Sequence, residues 1–123
     1  MRILIVEYEK ATLKELSQLV KVMTQDEVMS YHDPVSVIED INNLDADAAF
    51  LDISMPVYDG LYVAHKLLEK YPKMPIVFIT SFNHYAAEAF EVQAMDYILK
   101  PVDPKRLRNT LLKLERKLNK PSL

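Results

Sequence analysis

Glu7, Asp52, Thr80 and Lys100 are the residues of this chain whose types suit one reaction, the transfer of a phosphoryl group onto a carboxylate. Each follows a short apolar run. Asp52 ends Ala48-Ala49-Phe50-Leu51 and leads into Ile53-Ser54-Met55-Pro56-Val57-Tyr58-Asp59-Gly60, which holds a carboxylate at the tip of an expected buried strand. A carboxylate is a weak nucleophile that becomes adequate toward phosphorus when cations neutralise the incoming oxygens; the remaining requirement is positioning. Lys100 can supply a fixed positive charge, and the Thr80 hydroxyl can donate to a phosphoryl oxygen. Mg²⁺ would supply the larger share, because it favours a few carboxylates, several waters and the phosphoryl oxygens themselves. Glu7 and Asp52 are the good side-chain ligands that can be brought together, with a backbone carbonyl near Ser54 as a third donor. Next to Glu7 stands Tyr8, a neutral phenol and a poor Mg²⁺ ligand where a second metal-binding carboxylate would be expected.

The elements that position these groups follow from hydrophobic periodicity. Short apolar runs alternate with amphipathic segments, the pattern of a βα-repeated parallel sheet. The runs are Ile3–Val6, the weaker Val28–Tyr31, Ala48–Leu51, Ile76–Ile79 and Tyr97–Leu99. Strands buried on both faces read as continuous apolar runs, as the first, third and fourth do, whereas the second reads as a partly exposed edge. Helical spacing links Leu13, Leu16, Val20 and Met23, then Val37, Ile38, Ile41 and Leu44, then Val63, Ala64, Leu67, Leu68 and Tyr71. Asp33-Pro34 and Asp103-Pro104 each supply an N-cap followed by proline at the first helical position. A short fourth helix is expected from about His84 to Val92, with Tyr85 and Phe90 as its largest side chains. The last helix carries Leu107, Leu111, Leu114 and Leu118. The fold class is therefore α/β, a five-stranded parallel sheet, doubly wound, and ligands of such sheets bind beyond the carboxyl ends of the strands. Glu7, Asp52, Thr80 and Lys100 all fall there.

Composition narrows the function classes. Half of the 123 residues are apolar, enough for one core and too few for two ordinary domains. A net charge of −3 gives no general attraction for nucleic acid or anionic membrane, although Lys105 to Lys120 is locally basic and reads as the solvated face of a helix. No apolar stretch is long enough to cross a bilayer. The absence of cysteine removes disulfides and thiolate chemistry, which fits a cytoplasmic location. Gly60 is the only glycine, so a glycine-rich phosphate loop is excluded, and His32, His65 and His84 are scattered. A flavin- or nucleotide-dependent enzyme on this topology is disfavoured on both counts, and the chain reads as a non-enzyme.

The motifs taken together resemble the receiver domain of bacterial two-component response regulators. The match runs over Met1 to Leu118, with residues 119–123 as a tail or the start of a linker. It is carried by the Ile-Leu-Ile-Val strand leading to acidic residues, Leu51-Asp52-Ile53-Ser54-Met55-Pro56 with Asp59-Gly60, Ile79-Thr80-Ser81, and Asp96-Tyr97 with Lys100-Pro101. The stretches Tyr85–Phe90 and Ala94–Val102 look most like receivers that precede LytTR-type or related DNA-binding effectors. The resemblance implies the flavodoxin-like strand order 2-1-3-4-5, Asp52 as phosphoacceptor, Thr80 as switch hydroxyl, Tyr97 as the aromatic that changes rotamer, Lys100 as the phosphoryl-binding lysine, and a cis bond before Pro101. It also implies a sensor histidine kinase as donor, Mg²⁺ as cofactor, and a surface of fourth helix, fifth strand and fifth helix that controls homodimerisation or a C-terminal effector.

Tyr8 departs from that family, whose first strand is usually followed by two acidic residues, the second being the direct metal ligand. The site loses one charge and one inner oxygen, so Mg²⁺ is expected to bind weakly through Glu7, Asp52 and the Ser54 carbonyl. Fewer carboxylates should also repel each other less, with Lys100 paired to Asp52. The competing reading is a pseudo-receiver, a protein-interaction or dimerisation module of the same fold that does not use phosphorylation.

Overall fold

Every apolar run forms a strand. A computed structural model of the protein describes residues 1–81 and 86–119. In it β1 (Arg2–Val6), β2 (Glu27–Tyr31), β3 (Ala48–Asp52), β4 (Ile76–Thr80) and β5 (Asp96–Leu99) make one parallel sheet in the order β2-β1-β3-β4-β5. The helices are α1 (Lys10–Thr24), α2 (Pro34–Glu39), α3 (Gly60–Lys70), α4 (Ala86–Glu91) and α5 (Pro104–Asn119). The expected helix start at His84, the side chains of Tyr85 and Phe90, and Lys120 to Leu123 lie outside the described residues. β3 and β4 are buried along their whole length, and β2 is the half-exposed edge that its mixed composition predicts.

Successive strand residues point to opposite faces, and this alternation divides the core in two. Leu4, Val6, Ala49, Leu51, Ile76 and Phe78 pack with Val37 of α2, Val63 and Leu67 of α3, and Ala89 of α4. Ile3, Ile5, Ala48, Phe50, Val77 and Ile79 pack on the other face with Leu16 and Val20 of α1 and with Leu107, Leu111 and Leu114 of α5. Each buried Val, Leu, Ile or Phe side chain among these contributes about 1.5–3 kcal/mol relative to exposure. The two layers fix the strand ends from both sides.

One helix departs from its sequence pattern. The spacing of Val37, Ile38, Ile41 and Leu44 predicts one continuous helix, yet α2 stops at Glu39 and Ile41–Asn43 form a separate 3-10 turn. Asp40 accepts a hydrogen bond from the Tyr31 hydroxyl at 2.9 Å and has φ −90° and ψ 4°, which ends the α geometry. Asn42 and Asn43 follow, and both are weak helix formers. The expected caps do form: Val35 N donates to Asp33 Oδ1 at 2.9 Å, and Lys105 N donates to Asp103 Oδ1 at 3.1 Å.

Gly60 ties α3 to the end of β3. Its N–H donates to the Ile53 carbonyl at 2.9 Å, and a Cβ added there would lie 2.2 Å from the Asp52 carbonyl oxygen. No side chain fits without displacing the backbone that carries Asp52.

Candidate functional site

Four strand ends converge at one edge of the sheet. β1 delivers Glu7, which is 1% exposed; β3 delivers Asp52 at 4%; β4 ends in fully buried Thr80; Lys100 follows β5. Thr80 follows Ile79, the register partner of Asp52, and its carbonyl accepts from Lys100 N at 2.8 Å. The Lys100-Pro101 peptide is cis. Lys100 Nζ contacts Glu7 Oε1 and lies 3.4 Å from Asp52 Oδ2 and 3.8 Å from Glu9 Oε1. The other oxygen of Asp52 accepts from Ser54 N at 3.2 Å, while Glu7 Oε2 accepts from Glu9 N at the same length. Over this floor opens a cleft of about 290 Å³ lined by Tyr8, Glu9, Asp52, Ser54, Ser81 and Lys100. That is several times the roughly 30 Å³ occupied by one water, so a tetrahedral anion has room.

The electrostatics of the floor are unequal. Asp52 is pushed up to about 7 by burial first and then by the adjacent Glu7, while Lys100 and the Ser54 N–H pull the other way and do not compensate. Burial depresses Lys100, but Glu7 and Asp52 outweigh it and raise the ammonium above its ordinary value. Lys100 lies within reach of Asp52 as expected, and Glu7 still raises that carboxyl. Lys100 sits closer to Glu7 than to Asp52, because the extra methylene of Glu7 carries its carboxylate inward to the ammonium, and Asp52 is left next to a like charge.

The comparisons with known proteins agree on what this frame is. The model of the response regulator receiver domain matches residues 3–112. The chain belongs to that family. It is 40% identical over 116 residues to the transcriptional regulatory protein YpdB of Escherichia coli K12, covering 94% of this chain and 48% of that protein. Protein MrkE of Klebsiella pneumoniae is 41% identical over 115 residues, covering 93% of this chain and 43% of MrkE. The chain thus spans about half the length of these curated relatives. The crystal structure of the response regulatory domain of MrkE superposes with a TM-score of 0.92 at 38% identity, covering 98% of this chain and all of that one. Among the described residues, no helix is long and apolar enough to cross a membrane.

Within this receiver, Glu7, Asp52, Ser54 and Lys100 come together. Tyr8 stands beside them, half-exposed, and Ser81 rather than Thr80 lines the cleft. Tyr97 lies on β5 beside Phe78, its register partner on β4, with the two rings tilted at 57° and centred 6.4 Å apart. Among the described residues no three His, Cys, Asp or Glu side chains gather as a metal cage.

Sequence reading missed a second polar cluster. Arg106 donates to both oxygens of Asp96, at 2.8 and 2.5 Å, and the buried Thr110 hydroxyl donates to Asp96 Oδ2 at 2.6 Å. Asp96 is consequently held well below the usual carboxylate range, with Arg106 as the main cause. This clamp fastens the start of β5, the strand that delivers Lys100, to α5. Its one sequence signal is the i, i+4 spacing of Arg106 and Thr110, flanking Leu107 on the inner side of an amphipathic helix.

Proposed function

We propose that this receiver is a signalling switch in which Asp52 accepts a phosphoryl group from a sensor histidine kinase. The observation that carries the reading is a buried Asp52 with one oxygen within reach of Lys100 and the other held by the Ser54 N–H, under a cleft large enough for the phosphoryl group. The Asp52 oxygen attacks phosphorus, the bond to the leaving group breaks, and its electron pair departs with the donor. Lys100 then faces the new anion, and the Thr80 hydroxyl is the switch donor on the adjoining strand. Tyr97 and the surface of α4, β5 and α5 are read as the output side, controlling homodimerisation or an effector, DNA-binding in the resemblance drawn above. The name of YpdB, a transcriptional regulatory protein, supports that direction.

The residues present fit Mg²⁺ as a weak ligand set. Two buried carboxylates side by side, with Asp52 raised by its neighbour, are what a cation relieves, and Glu7, Asp52 and the Ser54 carbonyl would hold it. When bound, it would neutralise phosphoryl oxygens during transfer. Tyr8 adds no charge to this set.

Incubation with acetyl phosphate and Mg²⁺, followed by intact-mass measurement, tests the reading. The expected outcome is a gain of one phosphoryl group that Asp52→Asn abolishes. The second reading, a phosphorylation-independent interaction module, is supported by Tyr8 and by the preference of Lys100 for Glu7; no gain under forcing conditions would select it.

A further inference from the structure

We infer that Tyr8 sets the donor preference of this receiver, its ring acting as a stacking platform for the flat leaving group of an N-phosphorylated imidazole. The inference rests on the phosphoacceptor reading above. Tyr8 lines the same cleft as Asp52, Ser54, Ser81 and Lys100. Asp52 is at the floor, 4% exposed, whereas Tyr8 stands at the mouth, 50% exposed. Its hydroxyl makes no hydrogen bond to the described residues, so the ring is held by no polar anchor and is available to a ligand.

The direction of the chemistry brings the donor to this ring. In-line displacement at phosphorus places the leaving group opposite the attacking oxygen. With the Asp52 oxygen attacking from below, the leaving group faces outward, past Tyr8. As the oxygen–phosphorus bond forms, the phosphorus–nitrogen bond breaks and its pair stays on the ring nitrogen. The reacting donor is the form protonated on its second ring nitrogen, so the ring departs as neutral imidazole and no further proton is needed. A carboxylate at this position would offer the donor charge without a face; the phenol offers a face without charge. Aromatic rings gain by offset or edge-to-face packing, and a cationic imidazole gains further over an aromatic face. Such a contact raises the second-order rate constant for an aromatic donor by roughly two- to tenfold and leaves donors without a ring unaffected.

The test compares three small donors, phosphoimidazole, phosphoramidate and acetyl phosphate, at one fixed Mg²⁺ concentration, with phosphoprotein followed by intact mass. The quantity read is the ratio of the phosphoimidazole rate constant to the phosphoramidate rate constant. Tyr8→Ala and Tyr8→Leu should each lower it about fivefold, since leucine keeps bulk without a ring, and Tyr8→Phe should preserve it. Because Tyr8 is half-exposed, these variants should keep the wild-type circular dichroism and melt. A ratio that Tyr8→Ala leaves unmoved, or that Tyr8→Leu retains, overturns the inference alone. Failure of all three donors to phosphorylate the wild-type chain overturns the phosphoacceptor reading and the inference with it.

Discussion

Asp52 and Asp96 are the same residue type in partly or fully buried positions of one sheet, and the fold treats them in opposite ways. Asp96 has a guanidinium on both oxygens, a hydroxyl at 2.6 Å and the Tyr97 N–H at 2.9 Å. Asp52 has the Ser54 N–H at 3.2 Å and an ammonium at 3.4 Å that lies nearer to Glu7. Arginine presents a planar fork that fits one carboxylate bidentately, whereas lysine is a point charge, here divided among Glu7, Asp52 and Glu9. A carboxylate with enough donors of its own becomes a fastener. One that must share its cation keeps unused affinity for another, and that is the property a phosphoacceptor needs.

The largest expected effect comes from breaking the satisfied member. Arg106→Ala leaves Asp96 with its side chain 10% exposed and without its main partner. Removing one half of such a pair should cost about 3 kcal/mol in urea unfolding at pH 7. The depressed Asp96 contributes stability that is complete above the ordinary carboxylate pKa of about 4 and is lost as pH falls below it. The wild-type and Arg106→Ala unfolding curves should therefore converge on the acid side. A loss under about 1 kcal/mol would remove the contrast with Asp52.

Asp52 has the opposite sign. Its folded pKa of about 7 lies above the ordinary value, so the fold binds this proton more tightly than the unfolded chain does. Stability from this group is present at pH 4 and declines as pH rises to about 7, then stays level. Asp52→Asn abolishes the decline. At pH 8 it should be more stable than wild type by about 2 kcal/mol, about half of what the full shift would allow, since Lys100 can relax toward Asp52. At pH 4 the two proteins should be equal within about 0.5 kcal/mol. Wild-type phosphorylation should in turn accelerate as pH rises through 7, where the nucleophilic form is gained.

A third measurement asks whether the missing acid explains the imbalance. Wild type should melt nearly unchanged in millimolar Mg²⁺, whereas Tyr8→Asp, which adds a carboxylate to the rim, should gain about 1 kcal/mol once Mg²⁺ reaches about five times its dissociation constant. A large shift in the wild type would mean that Glu7, Asp52 and the Ser54 carbonyl suffice by themselves.

Much of this frame can be read from the sequence, and the parts that cannot share a cause. β1, β3 and β4 are legible because strands covered on both faces must be apolar throughout, and the convergence of Glu7, Asp52, Thr80 and Lys100 follows from parallel strands ending at one edge. The end of α2 is not legible, because Asp40 answers to a tyrosine on β2 rather than to its own helix. Nor is the choice of Lys100 between Glu7 and Asp52, which turns on one methylene of side-chain reach. The clamp of Asp96, Arg106 and Thr110 joins two elements whose facing sides are fixed only by packing. Periodicity specifies what each element buries; it does not specify which polar group meets which across elements.

The smallest effect concerns the loop that follows Asp52. Val57 has φ 71°, in the left-handed region, and is 78% exposed, so its side chain gains little from burial to offset the conformation. A β-branched residue is strained there by about 1–2 kcal/mol, and asparagine tolerates the same backbone. The other described non-glycine residues at positive φ, Gln25 and Gln93, are unbranched at Cβ and follow α1 and α4, where such a cap is common. Val57→Asn should therefore stabilise the fold by about 0.5–1 kcal/mol, raising the melting temperature by a few degrees. The strain falls on the side of the molecule that carries the unsatisfied carboxylate, between Ser54 and the Gly60 contact that fixes the Asp52 backbone. If it is merely local, stability rises and the Asp52 phosphorylation rate is unchanged. If it helps hold the Ser54 N–H on Asp52, the same substitution shifts the pH midpoint of phosphorylation as well, which would tie the loop to the frustrated carboxylate rather than to the fold at large.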